Sequence, residues 1–115
     1  MLFVEYPKCT TCQRAKKFLD DRGAVYTDRH IKEENPTAEE LRAWQQTSGL
    51  PLKKFFNTSG LLYKSLELKE KLPGMSEEEQ FALLATDGML VKRPILVGED
   101  FVLVGFKEEE WAARL

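Results

Sequence analysis

The only two thiols of this 115-residue chain, Cys9 and Cys12, are separated by two residues. A thiolate is the nucleophile of thiol–disulfide chemistry, and two cysteines one helical turn apart can close a disulfide. We therefore expect Cys9 to be the exposed nucleophile and Cys12 to resolve the intermediate. The alternatives are two inert, small apolar side chains, or half of a zinc site that cysteines of another chain complete.

The position of this pair along the chain favours a catalytic role over the two alternatives. The apolar run Leu2–Tyr6 predicts a buried strand, and residues 11–19 carry apolar or small side chains at three- and four-residue steps, which is typical of a helix. Cys9 would then stand at a helix start, where unpaired backbone N–H groups stabilise a thiolate. Lys8 and Arg14 add positive charge next to it.

A second candidate lies far along the chain, in Lys92-Arg93-Pro94-Ile95. A cis peptide bond before Pro94 would turn the chain sharply and bring Arg93 to the loop after the first strand. Its guanidinium would hold a thiolate or an anion beside Cys9. The alternative is a trans proline and a surface arginine. We assign catalysis to Cys9, Cys12 and Arg93, substrate binding to Lys8, Thr11 and Pro94, and metal binding to no residue.

Other chemically capable residues favour plainer roles. The single histidine, His30, is expected to be solvated rather than a general base, and Trp44 and Trp111 are expected to be core residues. The run Lys53-Lys54-Phe55-Phe56 predicts a basic turn whose lysine stems cover apolar surface. The alternative for that run is an anion- or partner-binding patch.

Composition excludes several classes of protein. Seventeen basic and nineteen acidic residues give a net charge of −2, without the basic excess of a nucleic-acid-binding protein. Two cysteines are too few for a disulfide-stapled scaffold, and with one histidine they do not make a structural zinc site. Neither a signal-peptide pattern nor a membrane-spanning segment is present, so we expect a cytoplasmic monomer that binds no membrane.

The order of predicted elements is strand, helix, strand, several helices, hairpin, helix. The outer portions would share one mixed sheet, with an all-helical insertion at roughly 33–90, so we expect one α/β domain over residues 1–115. The second strand has imperfect alternation, which predicts either an edge strand or a segment that is partly loop. Helices should begin at the capping boxes of Thr37 and Ser76. The remaining predicted elements are a strand at Val25–Ile31, a helix at Leu61–Leu72, a hairpin of Ile95–Val97 with Phe101–Val104, and a helix at Lys107–Leu115.

Four blocks, in this order along the chain, carry a resemblance to a known family. They are Pro7-Lys8-Cys9-Thr10-Thr11-Cys12-Gln13-Arg14-Ala15-Lys16, Asn57-Thr58-Ser59-Gly60 with Tyr63, Lys92-Arg93-Pro94-Ile95, and Val104-Gly105-Phe106. With them the chain resembles the arsenate reductase (ArsC)/Spx family over essentially its whole length. The resemblance implies a thioredoxin-like fold with an inserted helical subdomain.

The resemblance implies two kinds of function. Some members reduce arsenate with the first cysteine as nucleophile and three arginines on the oxyanion, and glutathione and glutaredoxin complete the cycle. Others resemble Spx, which senses oxidants through two cysteines and binds the C-terminal domain of the RNA polymerase α subunit. By position, Cys9 matches the nucleophile and Arg93 the arginine before the proline. The other two arginines of the reductases have no counterpart, since Asn57 and Val104-Gly105-Phe106 stand near their places.

We therefore predict a thiol–disulfide oxidoreductase with no bound cofactor, in which Cys12 permits an internal disulfide. Its expected partners are a small thiol or disulfide substrate, glutathione as a co-substrate and glutaredoxin. The alternative is an Spx-like, redox-sensing regulator that binds the polymerase α subunit and makes no direct contact with nucleic acid. The missing arginines weaken the prediction of arsenate as the substrate.

Overall fold

Strand β1 (Leu2–Glu5) lies inside a four-stranded mixed sheet in the computed structural model, which describes residues 1–115. The sheet order is β2-β1-β3-β4, with β2 at Thr27–His30, β3 at Ile95–Val97 and β4 at Val102–Val104. β1 pairs with β2 in parallel and with β3 antiparallel, and β3 and β4 form the predicted hairpin. The predictions of a mixed sheet and of an edge position for the second strand are confirmed.

Six α-helices surround this sheet. The first crosses from β1 to β2, four follow in the stretch between β2 and β3, and the last ends the chain. The predicted capping boxes of Thr37 and Ser76 are both formed. Short 3₁₀ turns cover Leu52–Phe55, Leu72–Gly74 and Gly88–Leu90. The helices are α1 (Thr10–Asp21), α2 (Ala38–Ser48), α3 (Leu61–Ser65), α4 (Leu68–Lys71), α5 (Glu77–Leu84) and α6 (Glu108–Arg114).

Successive residues of β1 pack into two separate hydrophobic cores, because successive side chains of a strand point to opposite faces. Phe3 belongs to a cluster with residues of α1 and with Trp111 of α6. Val4 belongs to a larger cluster with the α2–α5 segment, which includes Trp44. Both tryptophans are buried, as predicted. The sheet is therefore a middle layer, with α1 and α6 on one face and the inserted helices on the other.

The prediction of one helix over Leu61–Leu72 is wrong. Glu67 takes a left-handed backbone conformation (φ 55°), which ends α3 and starts α4 in a new direction. A continuous helix would have placed Leu62 and Leu66 on one buried face. The break instead buries Leu68, while Leu66 is exposed. Core packing thus outweighs local periodicity in this segment.

Strand β2 (Thr27–His30) is shorter than the predicted strand Val25–Ile31, whose first residues are loop, one of the two predicted alternatives. It starts at Thr27, where pairing with β1 begins, and Val25 is left 85% exposed. No helix of the structure has the length and apolarity needed to cross a membrane.

Candidate active site

Cys9 is the N-cap residue of α1, as the sequence predicts. Its extended backbone (φ −83°, ψ 124°) leaves the carbonyl to accept the first helical bond, from Gln13 N–H at 3.0 Å. The Cys9 N–H donates to the Tyr6 carbonyl at 2.9 Å, and the Gln13 side-chain amide donates to the Pro7 carbonyl at 2.9 Å. These bonds fix the loop between β1 and α1, so the thiol is held at the helix start.

The pKa values of the two cysteines are shifted in opposite directions. Partial burial by itself raises the pKa of Cys9, but hydrogen bonds to its sulfur from the Cys12 backbone and thiol, from Arg93 and from the Thr11 backbone outweigh burial and lower that pKa. Burial is the main cause that raises the pKa of Cys12 to about 12; the neighbouring Cys9 sulfur acts in the same direction, and a backbone hydrogen bond from Tyr6 opposes them. The pair therefore favours a thiolate on Cys9 and a thiol on Cys12.

Arg93 lies beside Cys9, as proposed from the sequence, and the Arg93–Pro94 peptide bond is cis. The guanidinium carbon lies 5.2 Å from the centroid of the Tyr6 ring, which holds the planar group by a cation–π contact. The buried Nε and Nη1 atoms of Arg93 have no hydrogen-bond partner in the protein. A buried donor without an acceptor is costly, so these N–H groups favour an anion near Cys9.

A short backbone ladder positions the segment that carries Arg93. Phe56 and Val91 form an isolated antiparallel bridge. Lys92 N–H donates to the Phe55 carbonyl at 2.8 Å, and Asn57 N–H donates to the Leu90 carbonyl at 2.8 Å. Residues 52–57 of the helical insertion are thus tied to the residues just before the cis bond.

Cys9 opens into a cleft of about 850 Å³. That volume is within the usual range for small-molecule sites. The walls come from the start of α1, from residues 50–60 of the insertion, from Lys92 and Arg93, and from the chain after β4. The lining residues are Cys9, Thr11, Leu50, Lys53, Lys54, Phe56, Asn57, Thr58, Ser59, Gly60, Lys92, Arg93, Val104, Gly105, Phe106, Lys107 and Glu110.

The structure brings most of the predicted site residues together. Cys9, Thr11 and Arg93 line the cleft, and Cys12 is buried next to Cys9. Pro94 is buried and Lys8 is exposed, and neither of them lines the cleft.

His30 is placed in a structural role. Its ring packs edge-on against Tyr6 at 5.7 Å, and its Nδ1 accepts backbone N–H bonds from Lys32 and Glu33 at 3.2 Å. It does not line the cleft. No group of three or more His, Cys, Asp or Glu side chains is arranged to hold a metal ion.

Sequence reasoning finds only part of the lysine cluster of the cleft. For Lys53 and Lys54 it favours a turn that covers apolar surface, with an anion- or partner-binding patch as the alternative, and both residues line the cleft with Cys9. Lys92 and Lys107 join them there. The sequence contains part of the signal, because Lys53 and Lys54 stand four and three residues, respectively, before the Asn57 block of the family resemblance. Their approach to Cys9 needs the tertiary fold.

The two places where the family resemblance implies further arginines in the reductases also line the cleft. Asn57–Gly60 forms one wall, and Val104–Phe106 forms another. Gly105 has φ 75°, and a side chain there would approach Lys92 Cε at 3.3 Å. The Trp111 indole donates to the Gly105 carbonyl at 3.1 Å and anchors this turn on α6. Neither wall offers a guanidinium, so Arg93 is the only arginine of the cleft.

Two curated relatives match most of this chain. The protein YusI of Bacillus subtilis, itself uncharacterized, is 54% identical over 111 residues, which are 96% of this chain and 94% of YusI. The global transcriptional regulator Spx of Staphylococcus haemolyticus is 26% identical over 104 residues, covering 90% of this chain and 78% of Spx.

Solved structures of similar proteins share the fold of this chain. A Bacteroides fragilis protein described as related to the ArsC family superposes with a TM-score of 0.95 at 63% identity, over 97% of this chain and 94% of that one. A possible arsenate reductase of Streptococcus mutans gives 0.88 at 49% identity, over 96% of each chain. The fold is thioredoxin-like, as predicted. The ArsC family model matches residues 4–114, and the chain therefore belongs to the ArsC family.

Proposed function

We propose that the protein is a thiol–disulfide oxidoreductase in which Cys9 is the nucleophile and Cys12 the resolving thiol. The observation that carries the proposal is the placement of the two sulfurs, one in the cleft at the helix start and the other buried beside it. Cys9 has a lowered pKa beside Arg93 and opens into the cleft, whereas the buried Cys12 has a pKa raised to about 12. A thiolate that is accessible and a thiol that is buried next to it suit attack and resolution, respectively.

The reaction has two steps. The Cys9 thiolate attacks one sulfur of a disulfide R–S–S–R′, a Cys9–S–S–R bond forms, and R′–S⁻ leaves. Cys12 then loses its proton to solvent and attacks the Cys9 sulfur, so that a Cys9–Cys12 disulfide forms and R–S⁻ leaves. The substrate gains two electrons and the protein loses two. A thiol reductant, for which we propose glutathione or a glutaredoxin, returns the pair to the reduced state.

We propose a disulfide rather than arsenate as the substrate. Bidentate recognition of a multiply charged oxyanion needs several convergent guanidinium groups, and the cleft has one. Lysines carry point charges on flexible stems and do not replace that fork geometry. The arginine count of the cleft therefore favours sulfur, not arsenic, as the atom under attack.

Turnover of a small disulfide tests the proposal, with glutathione and then glutaredoxin as reductant and arsenate in a parallel assay. We expect disulfide reduction by the wild type and none by Cys9→Ser. Cys12→Ser should keep activity only where an external thiol resolves the mixed disulfide. The proposal fails if Cys9→Ser retains the wild-type rate, or if the pure protein reduces no disulfide with either reductant.

A second candidate function is that of a redox-sensing regulator, favoured by the relatives named as Spx regulators. In that function, oxidation of Cys9 and Cys12 would change the surface presented to the C-terminal domain of the RNA polymerase α subunit. A pull-down with that domain, reduced against oxidised, distinguishes the two candidates. Binding that depends on the redox state, without disulfide turnover, would favour the regulator.

A further inference from the structure

The charge of the Cys9 cleft is opposite to that of the rest of the chain. Five basic residues and a single acidic residue, Glu110, line the cleft. Twelve of the seventeen basic residues and eighteen of the nineteen acidic residues lie elsewhere. A protein of net charge −2 thus concentrates positive charge around its nucleophile. The five basic residues of the cleft are Lys53, Lys54, Lys92, Arg93 and Lys107.

Four of these five cations have no carboxylate partner. Lys107 lies 3.8 Å from Glu110, and this is the one salt bridge in the cleft. Lys53, Lys54, Lys92 and Arg93 take part in none of the six salt bridges of the structure. The positive charge of the cleft is therefore largely uncompensated.

Neighbouring structure holds this charge in place. Lys53 and Lys54 project from the 3₁₀ turn Leu52–Phe55, whose Leu52 and Phe55 are buried in the larger core. The backbone ladder to residues 90–92 ties that turn to the Arg93 segment. The stem of Lys92 lies against Gly105. These lysines thus stand on anchored backbone around the cleft.

We propose that the cleft selects small disulfides that carry carboxylate groups, and that Lys53 and Lys54 are specificity-determining residues. This inference rests on the proposed function and names its substrate class. A cleft lined by one sign of charge focuses the field and raises the local concentration of ligands of the opposite sign. The volume of about 850 Å³ suits a small molecule, with the carboxylates on the lysine side and the sulfurs at Cys9.

Two aromatic disulfides form a probe pair for the test. Dithiobis(nitrobenzoate) carries a carboxylate on each ring, and dithiodipyridine is neutral at neutral pH. Each releases a thiol product that can be followed by its absorbance when a thiolate attacks the disulfide. Working with Cys12→Ser limits the reaction to the attack by Cys9. The measured quantity is the ratio of the rate constant with the dianion to that with the neutral probe, so that intrinsic differences between the reagents cancel when variants are compared.

We expect Lys53→Gln/Lys54→Gln to lower this ratio about tenfold at low salt. Salt near 0.5 M should lower the ratio of the parent towards that of the variant, because it screens exposed charges over a few ångströms. The matched control is Lys69→Gln/Lys71→Gln, which removes two exposed charges outside the cleft and should leave the ratio within about twofold.

The outcomes separate this inference from the proposed function. If Cys9 reacts with both probes but the cleft variant and the control give the same ratio, the selectivity is overturned and the oxidoreductase stands. If Cys9 reacts with neither probe, the proposed function itself fails. A tenfold fall that is confined to the cleft variant supports both.

Discussion

Arg93 is the single residue whose side-chain charge stabilises the Cys9 thiolate. Its guanidinium packs on Tyr6 at 5.2 Å, and its hydrogen bond is one of the contacts that lower the pKa of Cys9. A group whose ionised form is favoured by a donor loses that preference when the donor is removed.

Arg93→Met should therefore raise the pKa of Cys9, and Arg93→Lys should give an intermediate value because the charge is kept without the fork. Ultraviolet absorbance of the thiolate against pH, measured in Cys12→Ser, reports the ionisation of Cys9 alone. The rate of alkylation at neutral pH should fall several-fold in parallel. The control is Arg14→Met, which removes an exposed arginine near the motif. Equal titration curves for Arg93→Met and its parent would refute the role.

Glu5 is the single buried charged residue of the structure, at the end of β1. Burial raises the pKa of Glu5 to about 7, helped by a hydrogen bond and by repulsion from Asp28 and opposed by Lys16 at 3.8 Å. The folded state therefore binds the carboxyl proton of Glu5 more tightly than the unfolded chain does. That contribution to stability is complete below pH 4.5 and is lost as the pH rises through about 7.

Glu5→Gln mimics the protonated carboxyl and should remove this loss. The free energy of unfolding of the variant minus that of the wild type should rise by at least about 1 kcal/mol from pH 5 to pH 8. Urea unfolding at each pH measures both free energies. Glu33→Gln removes an exposed carboxylate without an ion pair and serves as the control. Parallel stability curves for Glu5→Gln and the wild type would contradict the assignment.

Two secondary-structure elements, β2 and the start of α2, join the helical insertion to the sheet. Arg29 of β2 donates two hydrogen bonds to the Glu40 carboxylate, at 2.7 and 2.9 Å. Glu40 also accepts from the Thr37 N–H to complete the capping box. Arg29 donates further bonds to the carbonyls of Glu34 and Asn35, so one side chain fixes the whole connection.

Glu40→Gln should destabilise the protein by about 1–3 kcal/mol, since it weakens a charge-assisted pair at a helix cap. The Arg29 bond lowers the pKa of Glu40 to about 2, against the effect of burial. The stabilisation is thus present above pH 4.5 and lost as the pH falls through about 2. Glu78→Gln is the matched control, because Glu78 pairs with Arg42 but is 72% exposed, and it should cost under about 1 kcal/mol. Equal losses for the two variants in thermal or urea unfolding would contradict this account.

What the sequence reveals about the whole molecule depends on how local each signal is. The capping boxes of Thr37 and Ser76 and the start of α1 at Cys9 are local, and all three were predicted. The break at Glu67 was missed, because burial of Leu68 in the core decides it.

The candidate site divides in the same way. The cysteine pair and Arg93 were found from motif and spacing. A binding patch at Lys53 and Lys54 is only the alternative prediction from the sequence, because residues 53–54 share a cleft with Cys9 only through the pairing of residues 55–57 with 90–92. Charges contributed by separate parts of the chain produce a cleft whose sign the net charge of −2 conceals.

Intact-mass analysis after a single exposure to a small disulfide tests the central claim, that Cys9 attacks and Cys12 resolves, most directly. The account predicts that the wild type loses two hydrogens and carries no adduct. Cys12→Ser should retain one mixed disulfide, mapped by peptide digestion to Cys9, and Cys9→Ser should stay unmodified over the same time. An adduct on Cys12 in the Cys9→Ser protein formed at the wild-type rate, or a stable mixed disulfide on the wild type, would contradict it.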